Sequence, residues 1–176
     1  HTGSDSSSAE IGVLKPSSSA TVRKAFLFVS YLQDADVKLH NETISWDGTA
    51  DHPGAIGSSS YADVTALVKP LVDAKLTAGE LLISVEETSN ALFTDGQVLA
   101  VIFEDPESPT SDNSVSLFLG AIGGNFTLHL ASPITEADLA DGSNIMDLSL
   151  GIGYSYDSNR PSLVVSGRLA TVAHQQ

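Results

Sequence analysis

Oxygen donors gather in one stretch of this chain. The run Glu104-Asp-Pro-Glu-Ser-Pro-Thr-Ser-Asp-Asn113 places Glu104, Asp105, Glu107, Asp112 and Asn113 close together. Ca²⁺ is a hard cation that takes about six to eight oxygen ligands, which carboxylates and amide carbonyls supply. These five residues are therefore the candidate metal ligands, and Ca²⁺ is the candidate cofactor. The run lacks the alternating Asp-x-Asp-x-Asp-Gly register of an EF-hand. Its two prolines equally suit a plain solvated hairpin loop. A second oxygen-rich stretch, with Asp138, Asp141 and Asn144, reads better as helix capping and turn formation.

A ring at a loop edge is the other kind of residue that could meet a ligand. Ring faces stack on the C–H faces of sugars, and Trp46, the single tryptophan, stands just before Asp47-Gly48 at a strand end. It is the candidate ligand-binding residue. Tyr154 and Tyr156 lie two apart, so they share one face of a strand, where core packing or sheet-surface pairing accounts for them.

The chain offers no recognisable catalytic constellation. It has no cysteine, which excludes disulfides, thiolate metal sites and thiol nucleophiles. Gly-x-Ser-x-Gly is absent. Histidines stand at positions 1, 40, 52, 129 and 174, with no pair at i,i+2 or i,i+4 to make a local zinc motif. Gly120-Ala-Ile-Gly-Gly124 lacks the Lys-Ser/Thr ending of a phosphate loop. A glycosidase carboxylate pair is defined by separation in space and cannot be read from spacing in sequence. No catalytic residue is assigned, and the chain reads as a non-enzyme. Lys24, read on one strand face with Val22, Phe26 and Phe28, is a lysine that either reaches water or forms a cross-link to Asn or Asp. Asn41-Glu-Thr43 and Asn125-Phe-Thr127 match the glycosylation sequon.

Strands must position these residues. Residues 2–9 are small and polar and read as a flexible leader or linker. A single domain is expected over 10–176. Residues 10–15 suit an edge strand. Residues 21–32 carry Phe26-Leu-Phe-Val29, apolar on both faces as in the middle of a sandwich. Residues 36–41 alternate, 43–46 follow, and Asp47-Gly48 marks a turn. Residues 49–60, rich in Gly and Ser, read as loop. Val64, Leu67, Val68, Leu71 and Val72 fall on one helical face, with Asp63 placed to accept a first-turn N–H. Pro70 is expected to bend or end that helix near Lys69. Strands resume at 80–86 and, after an Asp95-Gly96 turn, at 97–104. Val98 to Phe103 contains no polar residue, so both its faces are expected to be buried. Further strands are expected at 114–119, 125–130, 145–156 and 162–172, with one helical turn at 133–139.

Frequent short strands, with one or two short helices, predict an all-β fold: an antiparallel β-sandwich or jelly roll. At 176 residues the chain can bury a sizeable core. Eight Lys and Arg against 22 Asp and Glu give a formal charge of −14. Such a surface repels phosphate backbones and anionic lipid heads, so nucleic acid is not an expected partner. No apolar run reaches the roughly 18 residues that cross a bilayer, so membrane insertion is not expected.

Three segments carry a resemblance: Val22-Arg-Lys-Ala-Phe-Leu27, Asp63-Val-Thr-Ala-Leu-Val68 and Val98-Leu-Ala-Val-Ile-Phe-Glu-Asp-Pro106, followed by Ser116-Leu-Phe-Leu-Gly120. The chain resembles a largely uncharacterised β-sandwich domain family of secreted and cell-surface proteins of bacteria and archaea, over roughly residues 20 to 130. Where that family has a long glycine-rich approach to the buried strand, this chain has only Leu92-Phe-Thr-Asp-Gly96. The resemblance implies a sandwich fold and an extracellular or cell-surface setting, and brings no catalytic residues. The expected function is a non-enzymatic structural or adhesive module of a secreted or cell-surface protein. Its expected partners are other surface-protein domains, glycans or further copies of itself. The alternative is a carbohydrate-binding jelly-roll module using Ca²⁺, with Trp46 and the acidic loop as its site.

Overall fold

A computed structural model of the chain describes residues 7–31, 35–51, 57–88, 94–107, 115–117 and 119. The elements run β1 (Ser7–Lys15), β2 (Thr21–Tyr31), β3 (Val37–Leu39), β4 (Glu42–Thr43), β5 (Gly48–Asp51), β6 (Ser58–Asp63), α1 (Thr65–Asp73), β7 (Gly79–Glu87) and β8 (Thr94–Glu104). They build two four-stranded antiparallel sheets, ordered β1-β7-β3-β4 and β5-β6-β2-β8. The all-β sandwich class expected from the turn and strand spacing is what the chain adopts. β1 begins three residues earlier than the expected leader allows, with Ser7, Ser8 and Ala9 paired to Glu87, Glu86 and Val85.

Alternation decides which side chains enter the core. Val37 and Leu39 of β3, Ile83 and Val85 of β7 and Val13 of β1 point inward from one sheet; Val22, Ala25, Leu27 and Val29 of β2 and Ala62 of β6 meet them from the other. Leu27, Leu39 and Ile83 are fully buried. Each contributes about 2 kcal/mol by leaving water. At one end of the sandwich Gln97 Nε2 donates to the buried Glu87 Oε1 at 2.6 Å, tying the two sheets together. β3 and β4 are joined through His40 and Asn41, whose φ values of 49° and 66° are the left-handed pair that a two-residue hairpin demands.

Strict alternation fails in β2. The register against β8 shifts between Val22 and Lys24, so Arg23 is an extra residue. This bulge turns Val22 and Ala25 to the core and sends Lys24 outward with Phe26 and Phe28. Lys24 therefore does not share a face with Val22, as an unbroken period of two had implied. The expected Asp95-Gly96 turn is likewise a strand irregularity. β8 runs through it, and Gly96 (φ 142°) pairs with Ser30 while Thr94 pairs with Tyr31.

The Gly- and Ser-rich stretch read as loop holds two strands. Hydroxyls replace apolar packing there: Thr49 Oγ1 and Tyr31 Oη both lie within hydrogen-bonding distance of the buried Ser60 Oγ, at 2.7 and 3.0 Å. Gly48, opposite Tyr61 in the ladder, leaves room for the Tyr61 ring. A Cβ at Gly48 would lie 2.6 Å from that ring.

Of the two outcomes expected near Lys69, a bend or an end, the end does not occur: the helix runs through Pro70 to Asp73. Pro70 removes the N–H that would meet the Ala66 carbonyl, and both residues lie on the exposed side, where that carbonyl is open to solvent. Val64, Val68 and Val72 form the buried stripe. Beside it runs a polar stripe at the same spacing. Thr65 Oγ1 accepts from Ala25 N at 2.9 Å, Lys69 Nζ donates to Val22 O at 2.7 Å, and Asp73 Oδ1 accepts from Val22 N at 2.8 Å. β6 stops pairing with β2 at Phe26, and from there the helix side chains satisfy the strand edge that β6 leaves.

Candidate functional site

The acidic loop sits where β8 leaves the sandwich, beside the turn between β1 and β2. Asp105 Oδ1 accepts from Ser17 Oγ at 2.8 Å and from the Glu107 N–H at 3.1 Å. Glu107 Oε1 accepts from Ser19 Oγ at 2.6 Å. Ser17 Oγ also accepts from the Ala20 N–H at 3.0 Å. Asp105 and Glu107 thus converge on the Ser17–Ser19 turn, and their hydrogen bonds pin one loop to the other. Glu104 is exposed at the end of β8, opposite Thr21. Asp112 and Asn113 lie outside the described residues, as do His52, His129, His174 and the 133–144 stretch. Among the described residues, no group of three or more His, Asp or Glu is placed to hold a metal ion.

Trp46 stands apart from that loop. Its Nε1–H donates to the Ala35 carbonyl at 2.8 Å, and its half-buried ring packs against the core cluster. The residue ties the segment after β4 to the chain just before β3. Its neighbour Asp47 accepts the Asp63 N–H on Oδ2 at 2.7 Å.

An open groove of about 300 Å³ lies next to this region, between the segment 42–45 and the β6–α1 junction. Glu42, Thr43 and Ser45 supply polar walls, and Ile44 and Leu67 an apolar floor. Asp63 also lines it, but its carboxylate is engaged. Lys24 Nζ reaches Oδ2 at 2.7 Å, and the Thr65 N–H reaches Oδ1 at 2.9 Å. The Lys24 hydrogen bond first, then the Thr65 hydroxyl and, more weakly, the Thr65 N–H hold the Asp63 carboxyl down from 3.8 to about 2, against the upward push of burial. The expected capping role of Asp63 is thus present, exercised from the residue before the N-cap position, Val64.

Sequence reasoning passed over several engaged polar groups. Asp73 is one. Burial pushes its carboxyl up, but the Lys69 hydrogen bond and the Val22 N–H outweigh that and leave it below the usual range. Lys15 is another. It is only 2 % exposed, and its Nζ donates to the Lys75 carbonyl at 2.7 Å, just past the helix C-terminus. The signal for the helix stripe was present: Thr65, Lys69 and Asp73 recur every fourth residue beside the apolar face. The signal for Lys15 was not, since its partner lies 60 residues away.

Comparison with protein-family models, with curated proteins and with solved structures finds no match in any of the three. Among the described residues, no helix is long and apolar enough to cross a membrane.

Proposed function

We propose that this chain is a non-enzymatic structural or adhesive module of a secreted or cell-surface protein. One observation carries the reading. Three of the six side chains singled out for chemistry hold chain segments together: Trp46 binds Ala35, Asp105 binds Ser17, and Glu107 binds Ser19. Long-range hydrogen bonds of this kind stiffen the ends of a sandwich, where a passive or adhesive module meets its neighbours. The nine-residue β1 strand adds a second feature, for it forms the outer edge of its sheet among the described residues. An edge strand is a ready template for strand addition by a partner.

Light scattering across protein concentration, together with binding to surface-glycan arrays, tests the proposal. Reversible association, or capture by a surface component without turnover, is the expected result. A strict monomer that binds none of these components overturns the adhesive reading, and polysaccharide cleavage overturns the non-enzymatic one. The same samples answer the calcium question. A melting temperature raised by millimolar Ca²⁺ at constant high salt, and no longer raised in Asp105→Ala, would place the cation in the acidic loop.

A further inference from the structure

The outward face of the β2 sheet is built to be covered. Its central row runs Tyr61, Phe28, Val98 across β6, β2 and β8, and the next row holds Phe26 and Ala100, with Ile102 beyond. Phe28 and Tyr61 are in tilted ring contact at 6.5 Å. The Lys24–Asp63 ion pair bounds this apolar patch at one end and the Ser30–Ser59 hydroxyl pair bounds it at the other. Phe26, Phe28 and Tyr61 form a groove of about 220 Å³ together with Leu117 and Leu119, so the chain beyond β8 already returns to this face. Val98 is nevertheless 38 % exposed among the described residues. A strand with apolar side chains on both faces belongs to a sheet covered on both faces.

The sequence holds an element of matching character. From 146 to 156, Met146, Leu148, Leu150, Ile152, Tyr154 and Tyr156 alternate without a break against Asp147, Ser149, Gly151, Gly153 and Ser155. Period-two alternation of this length is the pattern of a strand with one face to bury. We infer that the apolar face of residues 146–156 docks on the outward face of the β2 sheet, over the Tyr61-Phe28-Val98 row, and forms a third layer. The occupant is the chain's own segment because it is tethered to Leu117 and Leu119 at the groove. A covalently linked segment meets its site at a higher effective concentration than a second copy in dilute solution.

The chain has no cysteine, so introduced thiols report alone. In the full chain, Val98→Cys should react with a maleimide at least ten times more slowly than Leu82→Cys on the other sheet. Leu150→Asp should bring the Val98→Cys rate up to that of Leu82→Cys and leave Leu82→Cys unchanged. A second measurement needs no charged substitution. A short bismaleimide should join Val98→Cys within one molecule to Met146→Cys, Leu150→Cys or Tyr154→Cys, and not to Ser149→Cys. Equal reaction of Val98→Cys and Leu82→Cys in the full chain overturns the inference, as does the absence of every one of those intramolecular links. Protection of Val98→Cys that rises with protein concentration also overturns it, in favour of a second copy.

Discussion

On the outward face of the β1 sheet, Glu10, Glu80, Ser84 and Glu86 surround Leu14 and Leu82, and Lys38 reaches Glu86 at 3.6 Å. Leu14 and Leu82 are 70 % and 52 % exposed. On the outward face of the β2 sheet, three strands present aromatic and aliphatic side chains instead, and polar groups stand only at the margins. Inward, the two sheets are alike: both alternate apolar residues into one core. The sandwich alone accounts for the first outward face, which has the polar-out pattern of a sheet in water. It does not account for the second. Two sheets of one core can thus differ in whether they are the outer layer of the molecule or an inner one.

The largest expected break in this comparison comes from charge. Phe28→Asp should lower stability by about 3 kcal/mol or more, since an ionised carboxylate would sit where an aromatic ring packs. Leu82→Asp should stay within about 0.5 kcal/mol, as for ordinary surface changes. Urea denaturation of the two variants reads the difference, and equal values would mean the faces are equivalent. Next in size is the strand edge. Asp73→Ala leaves the Val22 N–H without its acceptor and should cost about 2 kcal/mol. Glu10→Ala on the open β1 edge should cost less than about 0.5 kcal/mol by the same assay.

A pair of glycines sharpens the contrast. At Gly12 an added Cβ meets only the carboxylate end of Glu80, which can swing into solvent. Gly12→Ala should be neutral or stabilising by up to about 1 kcal/mol, because the unfolded chain loses freedom. At Gly48 the obstacle is the Tyr61 ring, held against Phe28, and Gly48→Ala should destabilise by about 1 to 2 kcal/mol. Thermal melts of both variants check the sign.

The smallest effect concerns the two outward ion pairs. Double-mutant cycles on Lys24–Asp63 and Lys38–Glu86 should each give less than about 1 kcal/mol, for both pairs are solvent-screened. Asp63 differs in its titration. Its folded-state value, about 2, lies below the ordinary one. Its contribution is therefore complete above the unfolded value and is lost as pH falls from about 4 towards 2. Carboxyl NMR titration should find that midpoint, and Asp63→Asn should remove this part of the acid-induced decline.

Much of the architecture was legible in residue pattern. The alternation of Val37 and Leu39, the helical spacing of Val64, Val68 and Val72, and the carboxylate of Asp63 before the helix each announced a local structure that formed. Patterns of two and of 3.6 are local physics, and local physics shows in local sequence. The misreadings have a common cause. The bulge at Arg23 and the strand formed by Ser58–Asp63 depend on partners far along the chain. Serine has weak strand preference, but Ser60 sits between Thr49 and Tyr31 hydroxyls that no window around it reveals. For the candidate site the reason is the same. Asp105 and Glu107 were visible as oxygen donors, but Ser17 and Ser19, which engage them, stand 88 residues away.

The helix seal on β2 has a consequence for exchange with solvent. The amide hydrogens of Val22 and Ala25 are held by Asp73 and Thr65, not by carbonyls of a neighbouring strand on that side. Their protection is then set by the opening of α1, a local event that leaves the rest of the ladder closed. Each such opening strips the seal from the lower half of β2 and presents a bare hydrogen-bonding edge in the middle of a sheet. The lifetime of one short helix therefore governs how often this inner strand edge is bared to solvent.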